Sequence, residues 1–77
     1  MIISKVAVLI DSASMMVFVT NTENLSRKAI INVVRNYLRK GNRNSNILEI
    51  DYVDSYNVSA DGLEKLSEEF IVIRLQK

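Results

Sequence analysis

The residues of this chain that could do chemistry are mainly carboxylates, because the sequence contains neither His nor Cys. His is the usual side chain that titrates near neutral pH, and Cys is the usual thiol nucleophile. The serines lack a His partner and a Gly-x-Ser-x-Gly elbow, which excludes a serine hydrolase triad. The only glycines, Gly41 and Gly62, are too far apart for a phosphate-binding loop. We therefore expect a protein that is not an enzyme and that needs no cofactor or metal ion.

Asp11 is the first carboxylate to consider, because it ends the apolar run Val6–Ile10 and is followed by Ser12 and Ser14. This stretch resembles the opening of metal-dependent nucleases of the PIN and NYN families. The resemblance implies that Asp11 would help to hold a divalent cation, although the Asn that usually follows is missing. Asp and Ser are also common turn residues, and we favour a hairpin turn at this position. No family is identified from these residues.

A second group of carboxylates follows a predicted strand, Ile47–Val53. Glu49 and Asp51 lie on one face of this strand, and Asp54 lies near its end. The opposite, apolar face contains Leu48, Ile50 and Tyr52. The three carboxylates could attract Mg²⁺ or Ca²⁺, but their spacing matches no calcium loop. We favour a solvated outer face, and we interpret the acidic residues Glu64, Glu68 and Glu69 in the same way.

Positive charge is concentrated on one predicted helix. Residues 24–46 contain no acidic residue and six basic ones: Arg27, Lys28, Arg35, Arg39, Lys40 and Arg43. At 100° per residue, a polar stripe on this helix contains Lys28, Asn32, Arg35 and Arg39, with Arg43 just beyond its end. Such a stripe can contact an acidic protein surface or the phosphates of a nucleic acid. A solvated helix face without a partner is the third interpretation.

The next segment carries the opposite charge. Residues 47–69 contain seven acidic residues and one basic residue, so the formal net charge of +1 conceals two adjacent blocks of opposite sign. These blocks could pair within the monomer, or between copies in a homodimer or a head-to-tail array. The acidic block and a pI of about 8.0 argue against nucleic acid as the main ligand.

Hydrophobic patterning predicts the elements that position these residues. Ile2–Ile10 and Met15–Thr20 are predicted strands joined as a hairpin. A helix is predicted from the cap residue Asn24 to Lys40, with Gly41 as a left-handed stop. Its apolar arc contains Ile30, Val33, Val34, Tyr37 and Leu38, with Ile31 at the edge. Tyr37 is therefore predicted to lie in the core.

The C-terminal half completes the order ββαβαβ. A short helix is predicted over Ser59–Glu69, capped by Ser59 and packed through Leu63 and Leu66. It is the least supported element, because Gly62 disfavours a helix. Phe70–Leu75 is the last predicted strand. The pattern predicts one small α+β domain over residues 1–77, with a mostly antiparallel sheet and one principal amphipathic helix packed on one face.

Composition supports a cytoplasmic protein. No segment approaches the ~18 consecutive apolar residues of a membrane span, and the N-terminal residues lack the pattern of a secretory signal. Frequent Asn and Ile, together with the absence of Trp and Pro, indicate an AT-rich coding sequence of the kind found in many bacteria and phages.

These observations favour a non-enzymatic protein-binding module, a small adaptor or inhibitor. A phage protein that acts on a host protein in the host cytoplasm fits the composition. The expected contact residues are Lys28, Asn32, Arg35, Arg39 and Arg43, followed by Glu49 and Asp51. The alternative is a nucleic-acid-binding protein that uses the basic stripe Lys28, Arg35, Arg39 and Arg43.

Overall fold

The fold is a small α+β domain with one four-stranded sheet and a helix on each face of it. The computed structural model describes residues 1–41 and 47–76. In chain order the elements are β1 (Ile2–Ile10), β2 (Ala13–Thr20), α1 (Arg27–Gly41), β3 (Ile47–Asn57), α2 (Ala60–Glu69) and β4 (Ile71–Ile73). The predicted fold class and element order are confirmed, including the second helix.

The sheet has the strand order β3-β1-β2-β4. The apolar strand β1 is central and pairs antiparallel with both β2 and β3, and β4 pairs parallel with β2. Because β2 and β3 both oppose β1, they run in the same direction, and α1 connects them by crossing the sheet. Helix α2 connects the two edge strands β3 and β4 on the other side.

The larger part of the core lies on the side of the sheet that α1 covers, which we call the α1 face. Its buried residues come from α1 and all four strands: Val6, Val8, Val17, Val19, Ile30, Val34, Leu38, Ile50 and Ile73. On α1 they recur every four residues, which places them on one narrow stripe of the helix. This packing holds α1 against the sheet and directs its other residues to solvent.

A smaller core lies on the opposite side of the sheet, which we call the α2 face. Here Leu63 of α2 packs against Ile3 and Phe18, with Leu66 at the margin. The predicted cap is confirmed, since Ser59 Oγ accepts a hydrogen bond from the Gly62 N–H at 3.1 Å. Helix α2 thus covers one end of this face, and the end near the β1–β2 hairpin is not covered by it.

The hairpin between β1 and β2 has a two-residue loop, Asp11 and Ser12, flanked by the pair Ile10 and Ala13. Asp11 has φ = 56°, in the left-handed region that Asp tolerates better than most residues. The structure therefore places Asp11 in the turn that we favoured from the sequence.

Three details of α1 differ from the sequence-based prediction. The cap is Ser26 rather than Asn24, since Ser26 Oγ accepts a hydrogen bond from the Ala29 N–H at 3.1 Å. Gly41 is the last helical residue and does not have a positive φ, so the left-handed stop is wrong. Tyr37 is 46 % exposed, so its core assignment is also wrong. The sheet contacts only a narrow stripe, and Tyr37 lies about 60° from the centre of that stripe.

Four hydroxyl groups form a partly buried chain near the start of β1. Ser4 Oγ lies 2.7 Å from both Thr22 Oγ1 and Ser55 Oγ, and Ser55 Oγ lies 2.6 Å from the Tyr52 hydroxyl. Ser4 and Thr22 are both buried. The chain therefore ties β1 to β3 and to the segment that follows β2.

Side chains hold the C-terminal segment where the β2–β4 backbone pairing ends. The Leu75 N–H donates to Thr20 Oγ1 at 2.9 Å, and Asn21 Nδ2 donates to the Leu75 carbonyl at 2.6 Å. Asn21 also has a positive φ of 55°. Asn suits this position because it tolerates that conformation and its amide can donate.

Asn21→Ala is expected to lower the free energy of unfolding by about 1–3 kcal/mol, because it loses the hydrogen bond and adds backbone strain. Asn21→Gly is expected to cost less, since glycine removes the hydrogen bond and adopts positive φ freely. Urea unfolding followed by circular dichroism measures both. An Ala variant at least as stable as the Gly variant would contradict the assigned backbone strain.

No helix in the described part of the chain is long and apolar enough to cross a membrane.

Candidate functional site on two oppositely charged surfaces

The basic stripe of α1 consists of Lys28, Asn32, Arg35 and Arg39. Arg35 is half-buried and the other three are exposed. Arg35 Nη1 donates to Asn32 Oδ1 at 3.3 Å, which links two members of the stripe across one helical turn. The structure therefore brings four of the predicted residues together on the solvent side of α1. The fifth, Arg43, lies outside the described residues.

Glu49 and Asp51 lie on the other side of the sheet from α1. They pair with Leu9 and Ala7 of β1 and share their face, whereas the intervening Ile50 packs in the core beneath α1. Within residues 1–41 and 47–76, neither these carboxylates nor the cations of the basic stripe form an ion pair. These residues therefore do not pair the two charge blocks within the monomer.

Arg27 has a separate role at the start of α1. Its guanidinium carbon lies 4.8 Å from the centre of the Tyr52 ring, a cation–π contact between α1 and β3. Arg27 therefore helps to dock the helix on the sheet and is not part of the basic stripe. Sequence reasoning counted it only as charge, since nothing local to Arg27 indicates that Tyr52 lies beneath it.

Two β-bulges shape the edge strand β3. The register to β1 skips Leu48 and Val53, each an extra residue that faces no residue of β1. Leu48 is 56 % exposed and Val53 is 46 % exposed. The predicted inward position of Leu48 is therefore wrong, because the bulge removes it from the alternation that buries Ile50. Bulges also protect a sheet edge from pairing with another strand.

The carboxylates of β3 do not converge on a cation. The second bulge lies between Asp51 and Asp54, and Asp54 Oδ1 accepts a hydrogen bond from the Ser55 N–H at 2.8 Å. In the described residues, no group of three acidic side chains is placed to hold a metal ion.

A groove of about 590 Å³ lies at the uncovered end of the α2 face. It runs between β2, the end of α2 and β4, and its lining residues are Ala7, Ser14, Met15, Met16, Glu68, Glu69, Phe70 and Ile71. A smaller depression of about 170 Å³ shares Ala7 and Ser14 with it and extends to Glu49 and Asp51. The second pair of predicted contact residues therefore adjoins an apolar groove.

Sequence reasoning did not find this groove. The sequence pattern indicates solvated surface for Glu68 and Glu69 and ordinary strand positions for Met15 and Met16. The groove exists because α2 ends before it covers the whole sheet face, and the strand and helix patterns do not specify where a crossing helix lies.

Comparison with known proteins identifies no relative of this chain: no protein-family model, curated protein or solved structure matches it. The functional argument therefore depends on the charge, shape and exposure of these two surfaces.

Proposed function

We propose that this chain is a non-enzymatic protein-binding module whose basic stripe contacts an acidic surface of a partner protein. The observation that carries this proposal is the position of the sheet between the basic stripe and the acidic pair Glu49 and Asp51. The cations of the stripe have no internal counter-charge within the described residues. They are therefore available to a partner.

We expect the stripe mainly to raise the rate of association with the partner and to select partners of opposite charge. Exposed ion pairs stabilise a complex by about 0–1 kcal/mol each, because water and salt screen them. A patch of one sign can raise association rates from about 10⁵ to 10⁸ M⁻¹s⁻¹ at low salt, and it disfavours partners of the same sign. Arg35 and Asn32, which are already hydrogen-bonded to each other, present a partly pre-arranged surface to the partner.

Nucleic acid is the weaker candidate ligand for the same stripe. Tyr37 is exposed, but it projects about 160° around α1 from Arg39 and offers no stacking surface beside the stripe. The formal net charge of the chain is only +1, and the acidic surface on the α2 face would repel a polyanion that wrapped around the domain.

We propose that the protein acts in the cytoplasm as a small adaptor or inhibitor. The absence of cysteine suits a reducing compartment. The AT-rich character of the composition supports a phage origin, with the host cytoplasm as the place of action and a host protein as the partner. The two charged surfaces also permit self-association, in which the basic stripe of one copy contacts the acidic surface of another.

The double substitution Arg35→Glu and Arg39→Glu is expected to reduce capture of the partner from bacterial lysate at least tenfold. It replaces two attractive charges with two repulsive ones. The readout is an affinity pull-down followed by mass spectrometry. The matched control is Lys65→Glu with Arg74→Glu, which changes the net charge equally at exposed residues away from the stripe.

Capture is also expected to weaken as NaCl is raised from low to high concentration. Circular dichroism of all variants verifies that they remain folded. If the wild-type protein, the control variant and the stripe variant all capture the same proteins, the proposal is refuted. A mobility shift of DNA or RNA that disappears in the stripe variant would establish nucleic-acid binding in its place.

A further inference from the structure

We propose that the groove at the open end of the α2 face binds a basic amphipathic segment of a partner protein. The segment inserts apolar side chains into the groove and places Lys or Arg residues against its acidic rim. This is a second docking surface that is independent of the basic stripe. The groove binds a basic segment, whereas the basic stripe contacts an acidic surface.

The floor and walls of the groove suit apolar side chains. Its volume of about 590 Å³ lies within the ~300–1,000 Å³ range of protein binding pockets. Phe70 is 38 % exposed and forms a firm wall, since its ring packs edge-to-face on buried Phe18 with centroids 5.3 Å apart. Met16 supplies flexible, polarisable surface that adapts to different apolar partners, whereas the side chain of Met15 packs against the core on the α1 face.

The rim of the groove is acidic, and helix α2 strengthens its negative potential. Glu68 and Glu69 lie in the last turn of α2, which contains no basic residue, and the C-terminal end of a helix carries a partial negative charge. Acidic residues destabilise a helix at this position. Among residues 1–41 and 47–76, no Lys or Arg lines the groove or the adjoining depression, and Glu49 and Asp51 add two further carboxylates. Because the rim is acidic, we expect the occupant to carry positive charge.

An amphipathic helical segment fits this surface better than a second copy of the chain. The groove and the adjoining depression share Ala7 and Ser14, so together they form one elongated track. A second copy would bring its basic stripe, whose polar members offer no apolar side chain to fill the groove. A basic amphipathic segment supplies both the charge and the apolar anchors.

The first experiment measures fluorescence anisotropy of a labelled helical peptide of about five turns, with Leu at i, i+3, i+4 and i+7 spacing and Lys elsewhere. Glu68→Gln with Glu69→Gln is expected to weaken its binding about five- to tenfold at ~0.15 M salt, where the Debye length is about 8 Å, because two rim charges are lost. The matched control Asp61→Asn with Glu64→Gln removes two charges from the same helix outside the groove, and its affinity is expected to stay within about twofold of wild type.

Two further measurements separate binding from stability. Glu68→Gln with Glu69→Gln is expected to raise the unfolding midpoint by a few degrees, because it removes negative charge from the helix C-terminus. Ser14→Trp places a large side chain at an exposed position of the track and is expected to abolish peptide binding while the protein stays folded.

Three results would overturn the proposal. The first is failure of the Leu–Lys peptide to bind, or equal binding of a peptide with Glu in place of Lys. The second is an unchanged affinity in the Glu68/Glu69 variant. The third is concentration-dependent dimerisation in sedimentation velocity that Ser14→Trp removes, which would assign the groove to a second copy. Because the two surfaces are independent, the variant Arg35→Glu with Arg39→Glu is expected to retain the affinity for the peptide. A failure of the basic-stripe proposal is therefore distinguished from a failure of the groove proposal.

Discussion

Ile30→Ala is expected to lower the free energy of unfolding by about 2–5 kcal/mol. Ile30 is 2 % exposed and is the first buried residue of the α1 stripe that packs on the sheet. Its truncation removes apolar contacts and leaves a cavity, since a close-packed core relaxes only partially around a lost side chain. For a domain of this size, total stability lies toward the lower end of about 5–15 kcal/mol, so the loss is a large fraction of it.

Ile31→Ala is the matched control for this prediction. It makes the same chemical change one residue further along α1, where the side chain is half-buried at the margin of the core. We expect a loss of about 1 kcal/mol there. Urea unfolding followed by circular dichroism compares the two variants. Equal losses would mean that α1 does not dock on the sheet along the stripe that contains Ile30.

Ser4→Ala is expected to lower the free energy of unfolding by about 1–3 kcal/mol. Ser4 is the central member of the hydroxyl chain, and its removal leaves the buried hydroxyl of Thr22 without its partner. The effect comes mainly from that unpaired group, because a buried polar atom without a hydrogen bond retains the cost of leaving water. Ser14→Ala, at an exposed position of β2, is expected to change stability by less than about 0.5 kcal/mol.

A double-mutant cycle tests this explanation. Thr22→Val removes the other hydroxyl with little change in shape, so Ser4→Ala with Thr22→Val no longer contains the unpaired group. We expect the double variant to be more stable than the sum of the two single losses predicts. Additive losses would show that the Ser4–Thr22 hydrogen bond does not couple the two residues.

The arrangement of charge is consistent with an adaptor that contacts two partners. The basic stripe and the acidic groove are separated by the thickness of the sheet, and we propose that their opposite signs favour different partners. Charge substitutions on one surface are expected to leave binding at the other unchanged, because exposed charges farther apart than about one Debye length are largely screened.

The helices and strands could be predicted from the sequence because their causes are local. Four-residue spacing of Ile30, Val34 and Leu38 predicts the buried stripe of α1, and the side chain of Ser59 caps α2 within its own turn. The errors also have local causes. Asn24 and Ser26 are both good cap residues, and the pattern alone does not decide between them.

The predicted site residues on α1 could be grouped from the sequence because helical geometry relates them directly. Leu48 could not be placed, since a bulge depends on how β3 pairs with β1 and not on the residues of β3 alone. The groove could not be predicted either. It depends on where α2 ends relative to Met16, a residue more than forty positions earlier in the chain.

The sequence by itself determined the type and order of the elements and the sign of charge that each block carries. Backbone hydrogen bonding, capping and side-chain alternation act over a few neighbouring residues, so these properties can be read from local patterns. Only the tertiary structure decided that the basic stripe and the pair Glu49 and Asp51 lie on opposite sides of the sheet and that Glu68 and Glu69 border an apolar groove. Those outcomes follow from the order of the strands and from the side of the sheet that each helix covers, which packing between distant segments determines.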